Sequence, residues 1–168
     1  MKASSILGAE YLRELEAEER ATRECLQKVP IDKLFDWKPH EKSMNLGYLA
    51  ILVADIPRWI QYAIEKGEVN FATYEQGTAA NADELVTFFE KNIELARKAL
   101  AGLNDGDLKK EFRLKNADQV LFTSPLDETI SSSINHMVHH RGQLSVYLRL
   151  NDIPIPSIYG PSADVPGF

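Results

Sequence analysis

The sequence predicts an all-α fold, a four-helix bundle, and three observations predict it. Four long segments repeat apolar residues at helical spacing, and turn-rich stretches separate them. The chain of 168 residues is 44% hydrophobic and 26% charged, which is the composition of one globular domain. Amphipathic helices of about 20 residues bury their apolar stripes most simply against one another. At this length a single fold buries roughly two-thirds of its unfolded surface, so neither a disulfide nor a structural metal is needed to hold it together. Residues 1–168 are read as a single domain.

The first helix is expected over residues 4–29, where Leu7, Tyr11, Leu15, Ala21 and Leu26 recur between charges and Pro30 closes the run. The second starts from Ser43 as N-cap and carries Leu46, Leu49, Val53, Ile56, Ile60 and Ile64 to Gly67, a natural C-terminal stop. The third opens at Asn81, with Glu84 three positions on in a capping-box pattern, and runs through Leu85, Phe89, Ile93 and Leu100 to Gly102. The fourth starts at Ser124, with Pro125 in the first turn and Asp127 and Glu128 near the positive end of the helix dipole, and ends at Leu150. Between the third and fourth helices, residues 108–123 alternate apolar and polar side chains around Asn116-Ala117, the pattern of a short hairpin insertion. Beyond Leu150 lie four of the eight prolines, so this Pro-rich tail is expected to be extended, with Ile153, Ile155, Ile158 and Tyr159 packed on the bundle.

Charge excludes one class of partner. Lys and Arg number 19 against 25 Asp and Glu, for a net charge of −6, whereas a nucleic-acid binder needs clustered basic excess. Cys25 is the only cysteine, so no intrachain disulfide can form, and a lone thiol fits a reducing compartment. The first residues lack the apolar run of a signal peptide, and no later stretch has the length of an uncharged membrane span. A cytoplasmic protein with no membrane partner is the expectation. There is no phosphate-cradling glycine loop, nucleophile elbow or paired-cysteine motif.

Three of the four histidines, His136, His139 and His140, lie within five residues of the fourth helix. Successive helical residues turn by ~100°, so His136 and His140 fall about 40° apart on one face while His139 points away. Thr129, Ser133 and Tyr147 share that face, which borders the apolar stripe of Leu126, Ile130, Met137, Leu144 and Leu148. Such a pair meets either a divalent metal or a hydrogen-bond partner. A catalytic metal usually takes three protein ligands and leaves a position open for water.

The run from His139 through Arg141, Gly142, Gln143, Pro154 and Tyr159 to Asp164 resembles the C-terminal signature of the DinB/YfiT superfamily of metalloenzymes, whose name refers to damage-inducible bundle proteins. The likeness extends upstream to Pro39-His40-Glu41-Lys42-Ser43-Met44 and to Leu46-Gly47-Tyr48-Leu49-Ala50. This resemblance implies an up-down-down-up bundle, often a homodimer. It also implies a nickel or zinc ion held by one histidine of the second helix and two of the fourth. Characterised members include transferases that use a low-molecular-weight thiol (bacillithiol, mycothiol or glutathione) and a maleylpyruvate isomerase. Carried over, the fourth-helix ligands fall on His136 and His140, whereas the second-helix position is Leu52, within Leu49-Ala50-Ile51-Leu52-Val53-Ala54. On a helical wheel Leu52 shares a face with Leu49, Ile56, Trp59 and Ile60, pointing into the bundle. A leucine has no lone pair, and an added isobutyl group makes the site less hospitable to a dication. Asp55, one turn on, and His40, before the helix, are the conceivable substitutes, although His40 reads better as a solvent-facing or capping residue.

Two functions follow. One is a metal-dependent thiol transferase or hydrolase with a degenerate site; the other is a metal-free module that binds a small-molecule ligand or another protein. Of the remaining residues, Arg141 reads as an anchor for an acidic group or, more readily, as a salt bridge between helices, and Gly142 as a point of close helix approach. Tyr147 reads as a pocket hydrogen-bonder or core filler, and Trp37 and Trp59 as packing residues.

Overall fold

Ser5 accepts the amide of Gly8 at 3.0 Å and so caps α1 (Ile6–Gln27) in the computed structural model, which describes residues 5–166. The expected start at Ser4 lies outside the described residues. A single turn, α2 (Ile31–Leu34), leads to α3 (Leu46–Lys66). The cap of α3 is Asn45, which accepts the amide of Tyr48 at 2.9 Å, and not Ser43. The connection between α2 and α3 is tight: Gly47 donates to the Phe35 carbonyl, and a Cβ on Gly47 would overlap the Phe35 ring. Gly67 ends α3 at φ 69°, the left-handed conformation that glycine adopts without strain. Helix α4 (Ala82–Ala101) is capped by Asn81, and the Glu84 carboxylate returns to the amide of Ala80, one residue before the cap. Helix α5 (Leu126–Leu150) completes the long helices.

The fold is not purely α-helical. Residues Glu68–Asn70 form β1, parallel to β2 (Glu111–Asn116), which pairs antiparallel with β3 (Gln119–Pro125). The expected hairpin is therefore present, one strand of a three-stranded sheet in the order β1-β2-β3 being added by the residues after α3. Asn70 joins the two parts: its side chain donates to the Ala117 carbonyl and accepts the Ala117 amide, both at 3.0 Å, holding that residue at φ 51°. Strand β3 continues to Pro125, so the fourth helix starts at Leu126 and Ser124 does not cap it; the Ser124 hydroxyl meets Thr129 Oγ1 at 2.6 Å.

Named contacts set the helix directions. Ser5 bonds Leu103, and Glu16 and Glu19 pair with Arg97, so α1 and α4 are antiparallel. Trp59 lies on His136 and Tyr147 donates to the Met44 carbonyl, so α3 and α5 are also antiparallel. Tyr11 lies near Asp127, and Glu18 pairs with Arg141, so α1 and α5 run together. It follows that α3 and α4 share a direction. Their common core includes Leu26, Leu49, Ile56, Phe89, Ile130, Met137 and Leu144. Pro57 sits inside α3, and the nearby Ala54 carbonyl accepts from the buried Asn92 side chain at 2.9 Å. No helix among the described residues is long and apolar enough to cross a membrane.

After α5 the tail has no regular structure, and Ile153 packs on the core as expected. Tyr159 stays 71% exposed, reaching the bundle through its hydroxyl and through the Arg141 guanidinium that lies 5.3 Å from its ring centre.

Candidate histidine pair and pocket

His136 and His140 project from α5 one turn apart, with their Nε2 atoms 2.7 Å from each other. His140 Nδ1 meets the Gln143 side-chain oxygen at 2.7 Å. An amide oxygen only accepts, so Nδ1 carries the His140 proton, and His140 Nε2 in turn accepts from His136 Nε2–H. Burial lowers the His136 pKa to about 4, with the neighbouring His140 and His139 adding to the effect. Burial also lowers that of His140, against the Gln143 contact. Both rings are therefore neutral near pH 7. His139 is exposed on the other side, touching the pair only through a ring contact with His140 at 5.0 Å.

A third donor is what the pair lacks. Leu52 lies on α3 two turns before Trp59, the residue whose ring packs on His136. Leu52 is half-buried at the rim of the core and does not point to its centre as the helical wheel suggested, since the buried residues of that face are Leu49, Val53, Ile56 and Ile60. Asp55 is committed elsewhere. Its carboxylate, 2% exposed, pairs with Arg58 at 2.9 Å and accepts the Tyr74 hydroxyl at 2.9 Å. Burial raises the Asp55 pKa, while Arg58 and Tyr74 pull it down. His40 is exposed, and its Nδ1 accepts the Lys42 amide at 3.1 Å, the capping role expected. Among the described residues no third His, Cys, Asp or Glu joins His136 and His140 around one metal position. Two nitrogens bound to one tetrahedral zinc stand roughly 3.3 Å apart, so the observed 2.7 Å is hydrogen-bond spacing. The donor set does not fit the three-ligand metal that the resemblance implies.

Beside His136 opens a cavity of about 310 Å³ between the hairpin and α5. Phe112 and Leu114 of β2, Phe122 of β3 and Trp59 of α3 supply its apolar walls. Its polar side comes from α5 and the end of β3, with Ser124, Thr129, Ser132 and Ser133 as hydroxyls and Glu128 as the one charged group. The Ser133 hydroxyl donates to the Thr129 carbonyl at 2.8 Å, which keeps that wall in place. Trp59 ring and His136 ring are 5.7 Å apart, so the tryptophan packs on the pair and faces the cavity at once. Trp37 is a packing residue as expected, set edge-on to Tyr147 at 5.5 Å.

Sequence reasoning placed Thr129 and Ser133 on the histidine face, and both line the cavity. It missed Phe112, Leu114 and Phe122, although the strand alternation already put Phe112 and Leu114 on one side. Arg141 is the expected interhelical salt bridge, 2.6 Å from Glu18. Gly142 is a correction: a Cβ there would meet nothing within 4 Å, so no neighbouring helix approaches it.

A family model described as the DinB family matches residues 1–164. The crystal structure of a DinB-like protein from Bacillus subtilis superposes with a TM-score of 0.68 at 20% identity, covering 88% of this chain and 96% of that one. A DinB-like protein from Bacillus cereus gives a TM-score of 0.67 at 21% identity, covering 90% of this chain and 97% of its own. At such identities the likeness is one of fold. No curated protein matches the chain.

Proposed function

The chain belongs to the DinB family, and from that premise we propose that it is a metal-free member that binds a small molecule in the cavity beside His136. One observation carries the reading: the two α5 imidazoles satisfy each other at 2.7 Å, and the α3 position at which the resemblance implies a third histidine is Leu52. Two neutral rings bonded in this way have no spare convergent lone pairs, and a half-buried isobutyl group disfavours a dication. What remains is a concave site with four apolar walls and a few hydroxyls, the usual make-up of a small-molecule pocket.

A second reading, a metal-dependent thiol transferase or hydrolase, is favoured by the convergence of both Nε2 atoms on one side of α5. His136 and His140 would then be metal ligands, with nickel or zinc as the ion. Against it, a carboxylate-bearing thiol would find no Lys or Arg in the cavity lining.

Metal analysis on protein purified without a histidine tag, after incubation with nickel or zinc, separates the two. Far less than one equivalent is expected from the parent chain, and a clear rise from Leu52→His. Stoichiometric, tightly held metal in the parent would reject the metal-free reading. No rise in the variant would show that Leu52 is misplaced as the third position.

A further inference from the structure

We propose that the cavity takes an organic cation, an amine or quaternary ammonium with an apolar body, a proposal that rests on the cavity being the ligand site. Three aromatic rings stand on its walls, those of Trp59, Phe112 and Phe122. Ring faces carry negative electrostatic potential and attract a cation placed over them. The single charged residue in the lining is Glu128, which is exposed and so stands where the cavity meets solvent.

The cations nearby are all turned away or paired. Arg113 and Lys115 alternate with Phe112 and Leu114 along β2, so they project from the opposite face of the strand, where Arg113 lies 3.7 Å from Glu111 and Lys115 3.6 Å from Glu68. Lys109 is held by Asp127 at 2.8 Å, on a residue that does not line the cavity. His136 closes one end as a neutral ring. A carboxylate or phosphate ligand would meet Glu128 and no counter-charge, whereas a cation meets Glu128 and three rings. The net charge of −6 adds a general pull in the same direction.

The exposure of Phe122 points the same way. It is 56% exposed while lining the cavity, on a strand with no charged residue from Gln119 to Pro125. Natural sheet edges usually carry charges, so an uncharged edge with an open aromatic ring at its middle is a surface that a ligand can cover.

The test compares choline with its uncharged carbon isostere, 3,3-dimethylbutan-1-ol, and with benzoate, by ligand-observed NMR and by quenching of tryptophan fluorescence. Choline should bind roughly tenfold tighter than the isostere, and benzoate should bind least. Glu128→Gln, at an exposed position that leaves the fold intact, should remove several-fold of the choline preference and leave the isostere unchanged. Phe122→Leu should weaken choline in the same way. Equal binding of choline and isostere, or tighter binding of benzoate, overturns the cation assignment and leaves the cavity as a ligand site. Failure of all three probes to bind overturns the ligand site itself.

Discussion

Replacing Arg141 by methionine tests the largest single polar commitment of the fold. The guanidinium is 1% exposed. Its Nη1 lies 2.6 Å from Glu18 Oε2 and 3.0 Å from Thr22 Oγ1, and its Nη2 donates to the Tyr159 hydroxyl at 2.8 Å. That hydroxyl donates in turn to the Glu18 carboxylate at 3.0 Å. One side chain thus ties α5 to α1 and to the tail. Arg141→Met fills much of the volume but leaves the Glu18 carboxylate, whose side chain is only 13% exposed, with the Tyr159 hydroxyl and no counter-charge. Removing one partner of a buried ion pair costs about 3–5 kcal/mol. For a domain of this size each kcal/mol moves Tm by roughly 2–4 °C, which places the expected fall near 10 °C. Urea unfolding of the parent, Arg141→Met, Glu18→Gln and the double variant measures it, and the double variant should recover a large part of the loss because no charge is left unpaired. A single variant within about 1 kcal/mol of the parent, with no coupling in the cycle, would refute a structural Arg141 and leave the anchoring of an acidic group as its role.

Gly142→Ala should raise stability by about 1 kcal/mol, read as a higher urea midpoint, because an exposed mid-helix glycine with open space around its Cα gains helix propensity and loses no contact. Acid should weaken the fold through His136. Its pKa is about 4 in the folded chain against 6.5 ordinarily. The unfolded chain therefore binds the proton more readily, and the contribution is fully present above pH 6.5 and lost as pH falls towards 4. At ~1.4 kcal/mol per pH unit the ceiling is about 3 kcal/mol, reduced because the ring is only half-buried. His136→Gln should flatten this part of the stability profile between about pH 7 and about pH 4.5. Identical slopes for parent and variant would contradict the neutral, hydrogen-bonded pair.

Where the determining interaction is local, the sequence sufficed. The Asn81 cap and the Gly67 stop depend on side-chain or backbone properties within a turn of the helix end. The His136–His140 pairing follows from four-residue spacing alone. Strand β1 was beyond reach: three residues carry no usable period, and what makes Glu68–Asn70 a strand is pairing with Arg113–Lys115, more than forty positions away. A different pairing, the hairpin ladder of β2 and β3, displaced the expected start of α5. Ser124-Pro125 has the chemistry of a helix start, yet Pro125 completes a ladder with Glu111. Asp55 beside Arg58 could be anticipated from their three-residue spacing, but Tyr74, which closes the cluster from the loop, could not.

The candidate site follows the same division, and this bears on what the histidines are for. On α5 alone, His136 and His140 look like ligands awaiting a third. In the folded chain α3 sets Trp59 against His136, and the hairpin adds Phe112, Leu114 and Phe122 beside it. Every element packed against the pair thus contributes apolar surface, and the one acidic residue of α3 that could have served, Asp55, is turned into an ion pair with its own helix. Desolvation follows from that packing, and desolvation holds both rings uncharged. A neutral imidazole pair with its proton order set by Gln143 keeps a polar end on an otherwise apolar cavity without adding a positive charge. With no Lys or Arg in the lining, an anion would find no counter-charge there, whereas the organic cation proposed above would meet Glu128 and aromatic rings.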